Sequence, residues 1–256
     1  MRTYQRMSKK VVIPLPATDF DPTEAAVTWS ILDSHGIEVD FATPLGLPAT
    51  GDPLMVTGKG LGPWKPFLQA DKNGQIAYAK MVSSPKFMAP LRWSEINPEL
   101  YDGIVLPGGH APRMKEYLES SVLQDLIPYF FQNNKLVAAI CHGVVLASRS
   151  KFQNGKSVLF GRKTTALLAS QELLAWGLTC LWLNNYYRTY PETVQSEVTR
   201  ALEDSNDFIS GPLPLKRDSP INLNSGFVVQ DKNYISARWP GDVHLFGTKI
   251  VEFFSP

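Results

Sequence analysis

Apolar residues in this chain fall into short runs that alternate with longer, helix-like segments. Val11 to Leu15, "VVIPL", has strand length. The segment after it, "DPTEAAVTWSILDSHG", carries helix signals: Asp21 as N-cap, Pro22 at the first helical position and Gly36 as a stop. "IEVDFAT" predicts the next strand, and "DGIVLPGG" (Asp102 to Gly109) a buried strand running into a glycine turn. Helical "RMKEYLESSVLQDLIPYFFQ" and the strand "KLVAAI" follow, then a helix to about Ser150. Later strands are expected at "SVLFG", "LTCLWLN" and "GFVVQDKNYISARW", the last a hairpin around Asp231-Lys232-Asn233. "PETVQSEVTRALED" and "GDVHLFGTKIVEFF" predict helices, with Pro191 and Pro240 near their starts. Strands alternating with helices imply an α/β fold, a largely parallel sheet covered on both faces.

One stretch breaks the rhythm. Residues 44 to 70 are rich in Gly and Pro, and the region to about 98 is expected to be a long, loop-rich insertion in a single domain spanning residues 1–256. At 256 residues, with 44% hydrophobic and 19% charged residues, the composition is that of an ordinary globular protein. A formal net charge of +1 without a basic stripe argues against nucleic acid as a partner. No apolar run reaches the ~18 residues of a membrane span, and the basic start "MRTYQRMSKK" leads into a run too short and proline-broken for a signal peptide. Two cysteines, Cys141 and Cys180, make no disulfide framework, so a reducing, cytoplasmic setting is the expectation.

Candidate chemistry gathers where strands end. In open α/β sheets, sites form beyond the carboxyl ends of the strands. "LVAAICHGVVLASRS" places Cys141 and His142 at such an end, with Gly143 next and a helix beginning at once. A sharp strand-to-helix turn exposes a nucleophile at the sheet edge. A helix N-terminus there would lower a thiol from its usual ~8.5 towards ~3.5–7.5. Packing is the competing account, because free cysteines are among the most buried residues. Cys180, in "LTCLWL", lacks such a context and is assigned to the core.

In "LPGGHAPRM", Gly108 and Gly109 allow a tight turn and close backbone approach, and their N–H groups, with that of His142, could form an oxyanion hole. His110 either lines the pocket or caps the next helix. Glu24 sits three residues after Asp21, the spacing of a capping box; alternatively it points across the sheet edge at Cys141, its carboxyl protonated and donating to the sulfur. The four histidines contain no i, i+4 pair, so no metal site is expected. "GKGLG" lacks the phosphate-loop pattern and is read as a loop, and the aromatic run "WLNNYYRTY" as strand and cover.

Together, Glu24 in the first helix, "DGIVLPGGHAP", "LVAAICHGVVLA" and the closing "NYISARWPGDVHLFGTKIVEFF" resemble the ThiJ/PfpI superfamily. The likeness runs across nearly the whole chain. It implies a flavodoxin-like, class I glutamine amidotransferase-like three-layer sandwich. It also implies reactive Cys141, His142 supplying an imidazole and an oxyanion N–H, supporting Glu24, and a hole completed by Gly109. The "GGH" form and the long loops are most similar to the heat-shock-protein and glyoxalase III-like branch. That branch implies a homodimer acting on a small molecule without a cofactor. Two features depart from the pattern. Glutaminases of this fold use a late His-x-Glu pair, whereas His244 is followed by Leu245 and Phe246, so glutamine is not the expected substrate. No acid is spaced to orient His142; Asp204, Asp207, Asp218 and Asp242 all remain candidates.

The leading expectation is addition of the Cys141 thiolate to a 2-oxoaldehyde, giving a hydroxy acid. Amide, ester or nitrile hydrolysis through a covalent Cys intermediate is a second expectation. A third is a stress-responsive chaperone with a redox-sensing cysteine and an apolar patch at Trp64, Phe67 and Trp93. Proteolysis ranks last, since a recessed site would exclude folded polypeptide.

Overall fold

The computed structural model describes residues 9–255; the basic start at 1–8 lies outside them. Seven strands form the main sheet: β1 (Lys10–Pro14), β2 (Glu38–Thr43), β3 (Leu91–Arg92), β4 (Gly103–Leu106), β5 (Leu136–Ile140), β6 (Val228–Asp231) and β7 (Tyr234–Ala237). Their order is β3-β2-β1-β4-β5-β7-β6, parallel throughout except for the β6–β7 hairpin. Central β5 is buried along its full length, which explains why it reads as a continuous apolar run rather than an alternating one.

Helices cover both sides of the sheet. α1 (Pro22–Ser34) packs with α2 (Lys72–Val82) and α7 (Val243–Phe254), while α3 (Ser121–Gln132) packs with α4 (Gly143–Arg149). Nine of the thirteen residues of α1 are buried, so it lacks the one-sided stripe of a surface helix. Asp21 caps it by accepting from the Thr23 and Glu24 N–H groups at 2.8 and 3.0 Å.

Three local expectations are corrected. "LTCLWLN" is no strand: it ends α5 (Ala169–Leu183), where helix formers upstream extend the apolar run to a length only a helix accommodates. Cys180 therefore lies half-buried on a helix surface rather than in the core. "SVLFG", bounded by Gly155 and Gly161, turns instead of pairing, apart from a Lys151–Ser157 bridge. Much of the 44–98 region is helical: short helices Pro53–Thr57, Lys65–Leu68 and Pro85–Met88 accompany α2, and β3 extends the sheet edge. Trp93 belongs to the core, its Nε1–H donating to the Leu15 and Ala42 carbonyls.

The expected helices at the end of the chain are present as α6 (Val194–Arg200) and α7, with the proline-rich segment 204–220 anchored near them. Fully buried Arg238, just past β7, makes two 2.9 Å bonds to equally buried Asp242 and also donates to the Ser210 and Pro212 carbonyls. Asp218 accepts from the His244 and Leu245 N–H groups that open α7. Removing one partner of a buried ion pair strands the other. Arg238→Met should therefore lower unfolding stability by about 3–5 kcal/mol in chemical denaturation. A loss below about 1 kcal/mol would show that the pair is not what anchors this segment.

Candidate active site

β1, β4 and β5 are neighbours, and the strand order reverses between β1 and β4. Side chains that follow these strands therefore meet at one carboxyl edge, the switch point of the sheet. Cys141 follows β5 with φ +57°, a left-handed conformation that a non-glycine residue rarely holds, and its N–H is fixed on the Ala237 carbonyl. The turn presents the thiol at the sheet edge, where it remains 5% exposed.

Gly108 lets the other groups close in. A Cβ at that position would lie 2.7 Å from the His142 nitrogen, 2.9 Å from Cys141 Cβ and 2.9 Å from Glu24 Oε2, so a larger residue would force them apart. Gly109 has φ +147°, and a side chain there would also strike the Asp19 carbonyl. The two glycines differ in use. Gly108 N–H donates to Glu24 Oε2 at 2.7 Å, which removes it from any oxyanion hole. The Gly108 carbonyl accepts the Asp21 N–H, the group that a capping-box glutamate would have taken. Glu24 is thus no cap. It is fully buried, and its Oε1 has no hydrogen-bond partner.

Burial first, then the charge of Asp21, holds the Glu24 carboxyl well above the usual carboxylate range, which favours its protonated form. Burial likewise pushes the Cys141 thiol up. An ionised Glu24 or Asp21 adds to that, and the His142 N–H opposes it. The lowering expected from the helix N-terminus is therefore not the dominant effect here. A proton on Glu24 removes its repulsion and turns its free oxygen into a donor for the sulfur.

His142 stands with Nδ1 3.5 Å from Cys141 Sγ and Nε2 3.2 Å from Thr189 Oγ1. Thr189 donates its hydroxyl hydrogen to the His110 carbonyl at 2.7 Å, so it accepts from His142. That assigns the hydrogen to Nε2 and leaves the Nδ1 lone pair facing the thiol. Burial lowers His142 to about 3, keeping the ring neutral. The orienting group is a threonine; Asp204, Asp218 and Asp242 instead cap a turn, cap α7 and pair with Arg238, and Asp207 makes no hydrogen bond to the His142 ring.

His110 lines the site and makes no helix cap. Its ring stacks on Tyr187 at 4.1 Å and stands 3.5 Å from Asp52 Oδ2, and burial lowers it to about 4, so it too is neutral. Asp52 accepts a 2.6 Å bond from Tyr186. Tyr186, Tyr187 and Thr189, which sequence reasoning missed, all belong to the run "WLNNYYRTY". Its density of polar aromatics was the only available signal. Cys141, His110 and Asp21 open into a cavity of about 360 Å³, walled by α5, the first part of the 44–98 region and Arg217. Among the described residues, no three His, Cys, Asp or Glu side chains gather as metal ligands, and no helix is long and apolar enough to cross a membrane.

The fold and the site define an α/β protein with a cysteine on a strained strand-to-helix turn, backed by a buried carboxyl and a neutral imidazole. A family model described as ThiJ/PfpI family-like matches residues 15–199, and the chain belongs to that family. It is 23% identical over 218 residues to glutathione-independent glyoxalase hsp3101 of Schizosaccharomyces pombe, covering 84% of this chain and 81% of that one. It is 37% identical over 155 residues to deglycase PH1704 of Pyrococcus horikoshii, covering 60% and 70%. The alignments to two other curated relatives span only 54% and 34% of those proteins' own lengths. Glyoxalase III from Candida albicans shares the fold, with a TM-score of 0.68 at 17% identity over 96% of this chain and 98% of that one.

Two outcomes are expected. Thr189→Val frees His142 and should slow Cys141-dependent chemistry roughly 10-fold, the order of one lost buried hydrogen bond, while Thr189→Ser restores it. Equal loss in both would assign Thr189 a purely steric role. Glu24→Gln can accept from Gly108 and still donate to sulfur, so the pH midpoint of Cys141 alkylation should change little. Glu24→Leu removes a donor to the charged form, which raises the thiol pKa and moves the midpoint to higher pH. Movement to lower pH would show that Glu24 is ionised in the folded protein.

Proposed function

We propose that this protein is a cofactor-independent enzyme that converts 2-oxoaldehydes to 2-hydroxy acids through Cys141. One observation carries the reading: a fully buried Glu24, held by the Gly108 N–H, and a His142 whose Nδ1 faces the sulfur converge on one cysteine. The thiolate adds to the aldehyde carbon, and the N–H groups of Gly109 and His142 hold the oxyanion. The proton of that carbon then moves by way of an ene-diol to the neighbouring carbon, with His142 or Glu24 carrying it. The aldehyde carbon is oxidised and the ketone carbon reduced within one molecule, so no external oxidant or reductant is needed. Water cleaves the resulting thioester and restores the thiol. Relatives named glyoxalase and deglycase support a carbonyl substrate. A cytoplasmic homodimer is part of the same reading.

Hydrolysis of amides or esters is less favoured, because Thr189 rather than a carboxylate orients His142 and so offers little stabilisation of an imidazolium. For a chaperone role, Trp93 of the expected patch is buried while Phe67 is exposed, and Leu174, Leu181 and Trp182 add exposed apolar surface on α5. Cys141→Ser should lower kcat/KM for methylglyoxal by at least about 10³-fold, with the fold retained by circular dichroism. Comparable turnover by the serine variant would refute the mechanism. Suppression of client aggregation that survives in Cys141→Ala would instead favour the chaperone reading.

A further inference from the structure

The space beside Cys141 is far larger than a three-carbon substrate requires. At about 360 Å³ it would hold roughly a dozen waters, whereas methylglyoxal has five heavy atoms. Its polar lining comes from Cys141, His110, Asp21, Tyr187 and Arg217, together with Gln171 and Glu172 of the first turn of α5. The remainder of the lining is apolar, with Met55, Trp64 and Leu68 from the 44–98 region, Ala175 and Leu178 from α5, and Trp239. Phe67 and Leu174 line the same space yet are 69% and 63% exposed, so apolar surface continues outward to the rim. Walls of this kind suit ring-sized apolar groups, and a small polar aldehyde would leave them wet. Arg217 donates to the Phe67 carbonyl through Nη2, while its buried Nη1 has no hydrogen-bond partner. Arg217 is the cationic side chain in this lining, and a guanidinium suits the second carbonyl oxygen that every 2-oxoaldehyde carries.

Resting on the reading of Cys141 as a nucleophile towards 2-oxoaldehydes, the geometry points to a substrate whose ketone carbon bears a bulky apolar, preferably aromatic, group lodged between the 44–98 region and α5. The covalent step is unchanged: one water is consumed, and phenylglyoxal gives mandelate as methylglyoxal gives lactate.

The test compares methylglyoxal, tert-butylglyoxal and phenylglyoxal by product formation at short times, before arginine modification contributes. One methylene in an apolar pocket is worth about 10–200-fold, so kcat/KM should rise at least 10-fold from methyl to phenyl. Ala175→Phe fills the cavity and should lower the phenyl-to-methyl ratio by a similar factor; Leu178→Trp serves if that variant does not fold. Calorimetry on Cys141→Ser gives a readout independent of turnover, with mandelate expected to bind at least 10-fold more tightly than lactate. Equal rates across the series with equal binding of the two acids, or a ratio indifferent to filling the cavity, would overturn the inference. If no 2-oxoaldehyde is turned over while mandelate still binds preferentially, the proposed reaction fails and the apolar subsite stands.

Discussion

The site depends on one close approach, that of the Gly108 backbone to the Glu24 carboxyl. A carboxyl buried this completely needs a partner or a proton; Glu24 has the partner, and its burial favours the proton. Gly108 N–H takes one oxygen, and burial favours a proton on the other. That hydrogen bond ties α1 to the end of β4. The Asp21 N–H to the Gly108 carbonyl ties it a second time, in the opposite sense. With helix and strand end locked together, Cys141 at the end of β5 has a single carboxyl oxygen to face.

Neutrality is the second theme. Burial keeps His142 and His110 uncharged and pushes Glu24 towards its neutral form, the state that costs least in an apolar interior. The site is therefore built to move a proton among neutral groups, and it has no standing ion pair like that of a cysteine protease. Proton transfer within a bound hemithioacetal suits such surroundings, since it needs a nearby acceptor and donor and creates little net charge.

Segments distant in sequence complete the cavity. Arg238 fastens residues 210–212 to the end of β7, and Asp218 fastens the next residues to α7. Arg217 and Pro214 are carried to the cavity wall between those anchors. The 44–98 region contributes the facing wall through its short helices, and Asp52 links that wall to Tyr186 behind His110. A lining built from three separate segments offers more room to vary the substrate than the Glu24–Cys141–His142 centre does.

Much of this was legible in the order of residues. Periodicity gave the sheet strands β1, β2, β4 and β5, the terminal hairpin and the helices around them. Local punctuation (Asp21-Pro22, Gly108-Gly109, Cys141-His142-Gly143) located the reactive edge. These signals are local: a cap, a turn and a buried strand each require particular residue types within a few positions. What only the tertiary structure decided were contacts between remote segments. The two roles open to Glu24 share one spacing and were separated by where Gly108 lies. Thr189 carries no pattern of its own, and it orients His142 because the loop after α5 folds back over the site. The helix at 169–183 was hidden for a related reason: its apolar residues surround the axis, leaving no period to read. Spacing records what a residue's neighbours in the chain demand; its partners across the fold are set by packing.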